Sequence, residues 1–394
     1  MTAGVVDIAA PALLFFGRRR APCRRARAFH ADDTQERSLQ MTIQPRLSPN
    51  RAARAGICAA VVLAALVPAV PAPAQGVDGA MARPEAAPWA RVPQERQRRA
   101  ALAAQDGETS RVFGGIPAEP GQFPFQVALL GNDYLEADPE SQLYAQFCGG
   151  SVIAPDWVLT AAHCVDWGGE VMPAAELTVL VGATRLDEGT RHAVSDIFMH
   201  PDYDPMSFDN DIALIRLAAP LQDAPVVRLA RATPDAGDVR VTGWGMMENG
   251  EFPAALMQVE VGLQPNAACN DGIREIYARD LRLFLEDVNF RMGFGDSAIS
   301  EAVAVVAPRI ADRLTPAMLC AGHEEGMRDA CYGDSGGPLF AQTPDGPVQH
   351  GVVSWGEGPA DADAACGHAQ AYGVYARVAA FADWIEDLTG VRAD

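Results

Sequence analysis

The chain has 394 residues, 49% hydrophobic and 21% charged, a balance that excludes disorder throughout and leaves room for two or three domains. Its formal charge of −20 conceals two unlike parts: residues 1–111 carry 16 Arg and 9 Asp or Glu (+7), whereas residues 112–394 carry 15 Arg and 42 Asp or Glu (−27). So acidic a body argues against nucleic acid and against anionic membrane and suits cationic ligands, although a demand for solubility alone would also account for it.

Residues 1–40 contain an apolar run, Ala9 to Phe16, then Arg18-Arg19-Arg20 and Arg24-Arg25, with no pattern of a folded element. They are left unassigned, as a non-native upstream extension if translation starts at Met41. From there Arg46, Arg51 and Arg54 precede the apolar stretch Ala55 to Val70, and Ala72-Pro73-Ala74 supplies small residues for cleavage, so residues 41–74 read as a signal peptide. Its apolar core, interrupted by Pro68, falls short of the ~20 residues that a stable membrane anchor needs. A secreted or periplasmic protein is expected. Residues 75–111 are rich in Ala, Pro, Arg and Gln and too poor in large apolar residues to fold alone, and they read as a pro-segment ending at Ser110-Arg111.

Beyond Phe123 the pattern is of short apolar runs between Gly, Pro, Asn and Asp turns: Phe125–Leu130, Gly150–Ile153, Trp157–Thr160, Leu177–Val181, Ile212–Leu217, Val239–Thr242, Val259–Leu263, Val348–Ser354 and Val374–Val378. Many short strands of this kind predict an all-β sandwich or barrels. Ile273, Ile276, Tyr277, Leu281, Phe284 and Leu285 are spaced as an amphipathic helix, and an apolar run Ala298–Ile310 follows them. Phe381, Trp384, Ile385 and Leu388 recur at helical spacing and predict a C-terminal helix.

Of eight cysteines, Cys23 and Cys58 precede the body, leaving Cys148, Cys164, Cys269, Cys320, Cys331 and Cys366. None forms C-x-x-C, which weakens a zinc or redox reading, and six cysteines permit fifteen pairings.

The chemistry concentrates in Asp329-Ala330-Cys331-Tyr332-Gly333-Asp334-Ser335-Gly336-Gly337-Pro338-Leu339, where glycines flank Ser335 and let a substrate backbone approach its hydroxyl. Gly-x-Ser-x-Gly also describes the nucleophile elbow of α/β-hydrolases, so the partners decide. His163 lies in Leu159-Thr160-Ala161-Ala162-His163-Cys164 and Asp211 in Asp209-Asn210-Asp211-Ile212-Ala213-Leu214-Ile215, both upstream of the serine. An α/β-hydrolase needs its acid and histidine after the serine, where this chain has only His350 and His368. Together these segments resemble the trypsin/chymotrypsin-like serine proteases, over residues 112–394 apart from three longer stretches, 131–146, 270–315 and 357–365.

The resemblance implies two six-stranded antiparallel β-barrels with the active site in the cleft between them, plus the C-terminal helix. The first barrel would span about residues 112–230 and the second, with the helix, about 231–394. It implies disulfides 148–164, 269–320 and 331–366. Ser335 would be the nucleophile, His163 its base and Asp211 the group that orients the base, with the N–H groups of Gly333 and Ser335 as oxyanion hole. Cleavage after Arg111 would free Val112, whose α-amino group would pair with Asp334. Asp329 would sit at the base of the primary pocket with Ser354, Trp355, Gly356 and Gly373 around it, giving protein or peptide substrates with Arg or Lys at P1, the residue before the cut bond. Protein protease inhibitors would be further partners. Glu357, Asp361 and Asp363 read as a solvated acidic loop. No cofactor is implied, and no metal either: the calcium loop of the animal trypsins is replaced here by Gly182-Ala183-Thr184-Arg185. The competing readings are a non-catalytic binding protein on the same fold, a protease with another P1 preference, and a serine esterase on another fold.

Overall fold

Short apolar runs such as residues 127–130 and 157–159 are buried along their whole length, and an antiparallel sheet built of such runs covers its apolar inner face by curling shut. The computed structural model describes residues 88–106, 115–362 and 366–394. All of them belong to one of the two units into which the chain divides, the other being residues 12–81. The signal peptide, the unassigned residues 1–40, Arg111, Val112 and Asp363 thus lie outside the described residues.

The strands are β1 (Ile116–Pro117), β2 (Gln126–Gly131), β3 (Gln146–Ala154), β4 (Trp157–Thr160), β5 (Leu177–Val181), β6 (Thr190–Met199), β7 (Ala213–Leu217), β8 (Arg228–Leu229), β9 (Gly237–Gly243), β10 (Met257–Gln264), β11 (Met318–Gly322), β12 (Pro338–Thr343), β13 (Gly346–Trp355) and β14 (Gly373–Arg377). Strands β2-β3-β4-β7-β6-β5 close into one antiparallel barrel. Strands β10-β11-β14-β13-β12-β9 close into a second, because β9 pairs with β10 from Gly237 to Gly243 as well as with β12. Strand β1 adds outside this ring on β10, and β8 runs parallel to β13. The helices are α1 (Pro88–Asp106), α2 (Ser141–Ala145), α3 (Ala162–Val165), α4 (Asn266–Met292), α5 (Asp296–Val306) and α6 (Ala382–Thr389). No helix among the described residues is long and apolar enough to cross a membrane.

Where the barrels meet, Phe123 and Phe125 stand edge-on to Phe340 at 5.3 and 5.2 Å, and buried polar groups are paired across the seam. Thr242 donates to Gln126 Oε1 at 2.7 Å and Ser151 to Gln349 Oε1 at 2.7 Å. Cys148 bonds to Cys164, Cys269 to Cys320 and Cys331 to Cys366, with Cα separations of 6.2, 6.7 and 5.8 Å.

Four features depart from the expectations. Strands β6, β11 and β12 were not foreseen: β6 has no fully buried residue, β11 is the run Met-Leu-Cys-Ala-Gly without a β-branched residue, and β12 opens on a proline. The helix expected from Ile273 runs on to Met292, where Gly293 takes a left-handed φ of 69° and donates to Asn289 O. Only its first part packs: Ile273 and Ile276 are buried, whereas Phe284, Phe290 and Met292 are 61–80% exposed. Close approach explains Gly272, since a Cβ there would lie 2.2 Å from the carbonyl oxygen of Gln370. The acidic loop is tied to α4 and not merely solvated, for Tyr277 donates to Glu357 at 2.5 Å, Arg279 pairs with Asp361 at 2.6 Å and Ala360 N–H donates to Asp280. Phe381, just before α6, and Ile385 within it anchor the helix while Leu388 faces water.

Candidate active site

His163 follows β4 on α3, pinned by the neighbouring Cys164 to Cys148 on β3. Asp211 precedes β7 and leaves a turn in which both Phe208 and Asn210 hold φ at +56°. Asparagine tolerates that conformation, but phenylalanine is strained in it, and the ring of Phe208 stands edge-on to His163 at 5.7 Å. The Asp211 carboxylate is 1% exposed, and two bonds fix it on the histidine: His163 N–H donates to Oδ1 at 2.8 Å, and Nδ1 meets Oδ2 at 2.7 Å. With Nδ1 as donor, Nε2 is the basic nitrogen. Ser354, on β13 of the second barrel, donates its hydroxyl to the same Oδ2. Its side chain thus serves Asp211, a contact that the expectation of a pocket-lining residue did not include.

Ser335 sits half-buried in the turn before β12, held between the barrels. Its carbonyl accepts from Gly149 N–H at 2.7 Å, and Gly336 N–H donates to Val353 O at 2.8 Å. Gly336, with φ of 79°, lies so close to β4 that a Cβ would come within 2.2 Å of Thr160 Oγ1, three residues before His163. Gly333 holds φ at 96°, and Gln146, in no expected role, donates to its carbonyl at 2.8 Å. Among the described residues neither the Gly333 nor the Ser335 N–H has a hydrogen-bond partner, so both donors are available to an anion.

Asp329 is 9% exposed and accepts from Ala330 N–H at 2.8 Å and Gly367 N–H at 3.4 Å, with no basic side chain paired to it among the described residues. A Cβ on Gly373 would lie 2.6 Å from Asp329 Oδ1, whereas one on Gly356 would meet nothing within 4 Å, so Gly373 packs tightly on Asp329 and Gly356 borders open space. The Tyr375 hydroxyl is buried beside Gly373, 3.0 Å from where its Cβ would lie. Burial, and then the like charge of Asp334, push the Asp329 pKa up to about 7. Asp334 itself accepts from Gly245 N–H at 2.7 Å and Cys331 N–H at 2.9 Å; burial pushes it up to about 6, against the pull of those N–H groups and of Arg96. Both carboxylates face a water-sized pocket walled by Gly243, Gly245 and Met257–Val259.

Cys148, His163 and Cys164 cluster closely enough to hold a metal, but both sulfurs are spent in the disulfide and offer no thiolate. His200 packs on Phe381 and Trp384 of the C-terminal segment, in a structural place.

A pH test follows from Asp329. In the unfolded chain its carboxyl ionises near 3.9, while in the fold it keeps its proton to about 7. Between those values the native state binds the extra proton, so this group lowers stability as pH rises, and its full cost is reached above pH 7. The stability of Asp329→Asn relative to the unsubstituted chain should therefore improve from pH 4 to pH 8, by on the order of a few kcal/mol. Urea unfolding at several pH values measures it, and a difference that does not change with pH contradicts the account.

The Trypsin family model matches residues 112–385. The chain is 29% identical over 303 residues to mannan-binding lectin serine protease 1 of Homo sapiens, covering 72% of this chain and 36% of that protein. It is 31% identical over 291 residues to the vitellin-degrading protease of Bombyx mori, covering 72% and 87%. With the tryptase of Mus musculus the identity is 33% over 286 residues, covering 70% and 87%. The chain thus spans about a third of the first of these relatives and most of the other two.

Proposed function

The chain belongs to the trypsin family of serine proteases, and on that premise we propose that it is a secreted serine endopeptidase, made as a zymogen, that cuts after Arg or Lys. The observation that carries the reading is the pairing of His163 with the buried Asp211 next to a serine turn that offers two N–H donors without a partner among the described residues.

In this reading His163 Nε2 takes the proton of Ser335 Oγ as the oxygen adds to the substrate carbonyl. The oxyanion so formed is received by the N–H groups of Gly333 and Ser335, and such donors are worth about 3–4 kcal/mol each. The imidazolium, steadied by Asp211, gives its proton to the leaving amine, and an acyl-enzyme remains on Ser335. Water then repeats the cycle with His163 again as base, releasing the acid and restoring the serine. Asp329 supports the choice of Arg or Lys, because a buried carboxylate without a cation is costly and a cationic side chain entering past Gly356 would supply one.

Activation finds support in β1. Ile116 is paired with Gln258, which lines the same pocket as Asp334, so the strand four residues after Val112 is already held on the wall of that pocket. Arg111→Gln should leave an uncut and inactive precursor, and a peptide library presented to the cut protein should be cleaved after Arg and Lys. Full activity with the Arg111–Val112 bond intact, or cleavage after other residues, overturns this reading.

A further inference from the structure

The pro-segment is not left loose: its helix α1 packs on the protease body. Trp89, Val92, Pro93 and Arg96 follow i, i+3, i+4, i+7 spacing and are all buried, so they form one face. Trp89 stacks on Trp167, four residues past His163, with centroids 4.3 Å apart and planes within 15°. Val92 packs at Gly333, where a Cβ would lie 3.6 Å from its methyl carbon. Arg96 is 5% exposed, and its guanidinium lies over the Phe252 ring at 4.3 Å. It donates to Trp244 O at 2.7 Å and to Gln146 Oε1, and Gln146 in turn holds the Gly333 carbonyl.

A buried guanidinium needs opposite charge nearby, and here that charge is Asp334. The carbonyl bonded to Arg96 belongs to Trp244, between two glycines, Gly243 and Gly245, whose Cα positions face the Asp334 carboxylate so closely that a Cβ on either would overlap it. Burial lowers the Arg96 pKa to about 9, and Asp334 opposes the fall. The helix touches the segment after His163 and the turn before Ser335, while Gly356, just past β13, and Gly373, on β14, lie on other elements. It therefore covers the side of the site where the leaving half of a substrate would lie.

We propose that α1 is a tethered inhibitory ligand: the surface formed by Trp167, Gly333, Trp244 and Phe252 is a docking site for this helix, anchored by Trp89 and Arg96, and its occupation blocks the leaving-group side until the helix departs. The proposal rests on the zymogen reading. Tethering keeps the helix at high effective concentration, and cutting after Arg111 makes its binding bimolecular and sensitive to dilution. No cysteine lies between Pro88 and Arg111 to retain it by a disulfide.

The test uses the full chain with a site for an unrelated protease in place of residues 107–111, cut and then passed over a sizing column at falling concentration. The pro-segment should co-elute with the body when concentrated and separate on dilution, and Arg96→Gln or Trp89→Ala should each shift that separation to at least tenfold higher concentration. Thermal unfolding of the cut bodies shows that each variant is folded. Separation at every concentration, or retention indifferent to both substitutions, overturns the docking. Co-elution is read whether or not the cut protein is active, so loss of the protease reading is seen separately, as absent hydrolysis. Release should also raise the rate on a protein substrate at least tenfold while changing an Arg anilide, which has no residues beyond the cut bond, much less. Equal rates before and after release overturn the inhibition.

Discussion

Ser335→Ala is expected to lower kcat for peptide hydrolysis on the order of 10⁶-fold in the protein cut after Arg111, with little change in KM. The size follows from how the three groups act: without Ser335 Oγ, His163 and Asp211 have no nucleophile to activate, and only binding and the two N–H donors remain to help water. The fold should survive. Ser335 is half-buried, and its bonds to Gly149 and across to β13 through Gly336 are made by backbone groups. Melting temperatures of the two proteins should agree while their rates do not, and a loss of less than about tenfold contradicts the assignment.

Asp329→Ser is expected to lower kcat/KM on an Arg amide by about 10²–10³-fold, the rate equivalent of roughly 3–5 kcal/mol for breaking a buried ion pair. The effect should be confined to cationic side chains. A serine here offers no charge to a guanidinium that has left water to reach it. It would leave the Gly356 entrance open, so substrates with Phe or Leu at P1 should lose little and even overtake Arg. Undiminished kcat/KM on the Arg amide contradicts the role given to Asp329.

The groups proposed to react stand out in the sequence because each sits in a short local pattern whose chemistry depends on its immediate neighbours. Gly333, Ser335 and Gly336 are such a case: the left-handed φ values of 96° and 79° at the glycines are written in the residues themselves. The same holds for strands such as β5, whose run Leu-Thr-Val-Leu-Val is buried at every position but the threonine. What escaped depends on distant partners. Gln146 fell inside a stretch read as an insertion, and nothing local says that its amide meets Gly333, 187 residues away. Arg96 is one of many arginines in a segment rich in Ala and Pro, and only docking against Trp244, 148 residues on, makes it a buried cation. Trp89, a lone large aromatic in that poor composition, was the available hint that the segment packs on something. The long helix α4 was under-read for a related reason. Its last turns project from the body with exposed Phe290 and Met292, so an apolar pattern there does not report burial. Ser354 was read for its place beside the pocket, yet its hydroxyl turns to Asp211.

The most direct test of the central claim is labelling with a fluorophosphonate, which esterifies a serine only where a base activates the hydroxyl and donors receive the phosphoryl oxygen. The protein cut after Arg111 should take up one equivalent, located by mass spectrometry on Ser335, while Arg111→Gln and Ser335→Ala should take up almost none. A cut, folded protein that leaves Ser335 unlabelled would be a non-catalytic binding protein on this fold, and the catalytic role assigned to Ser335 would be wrong.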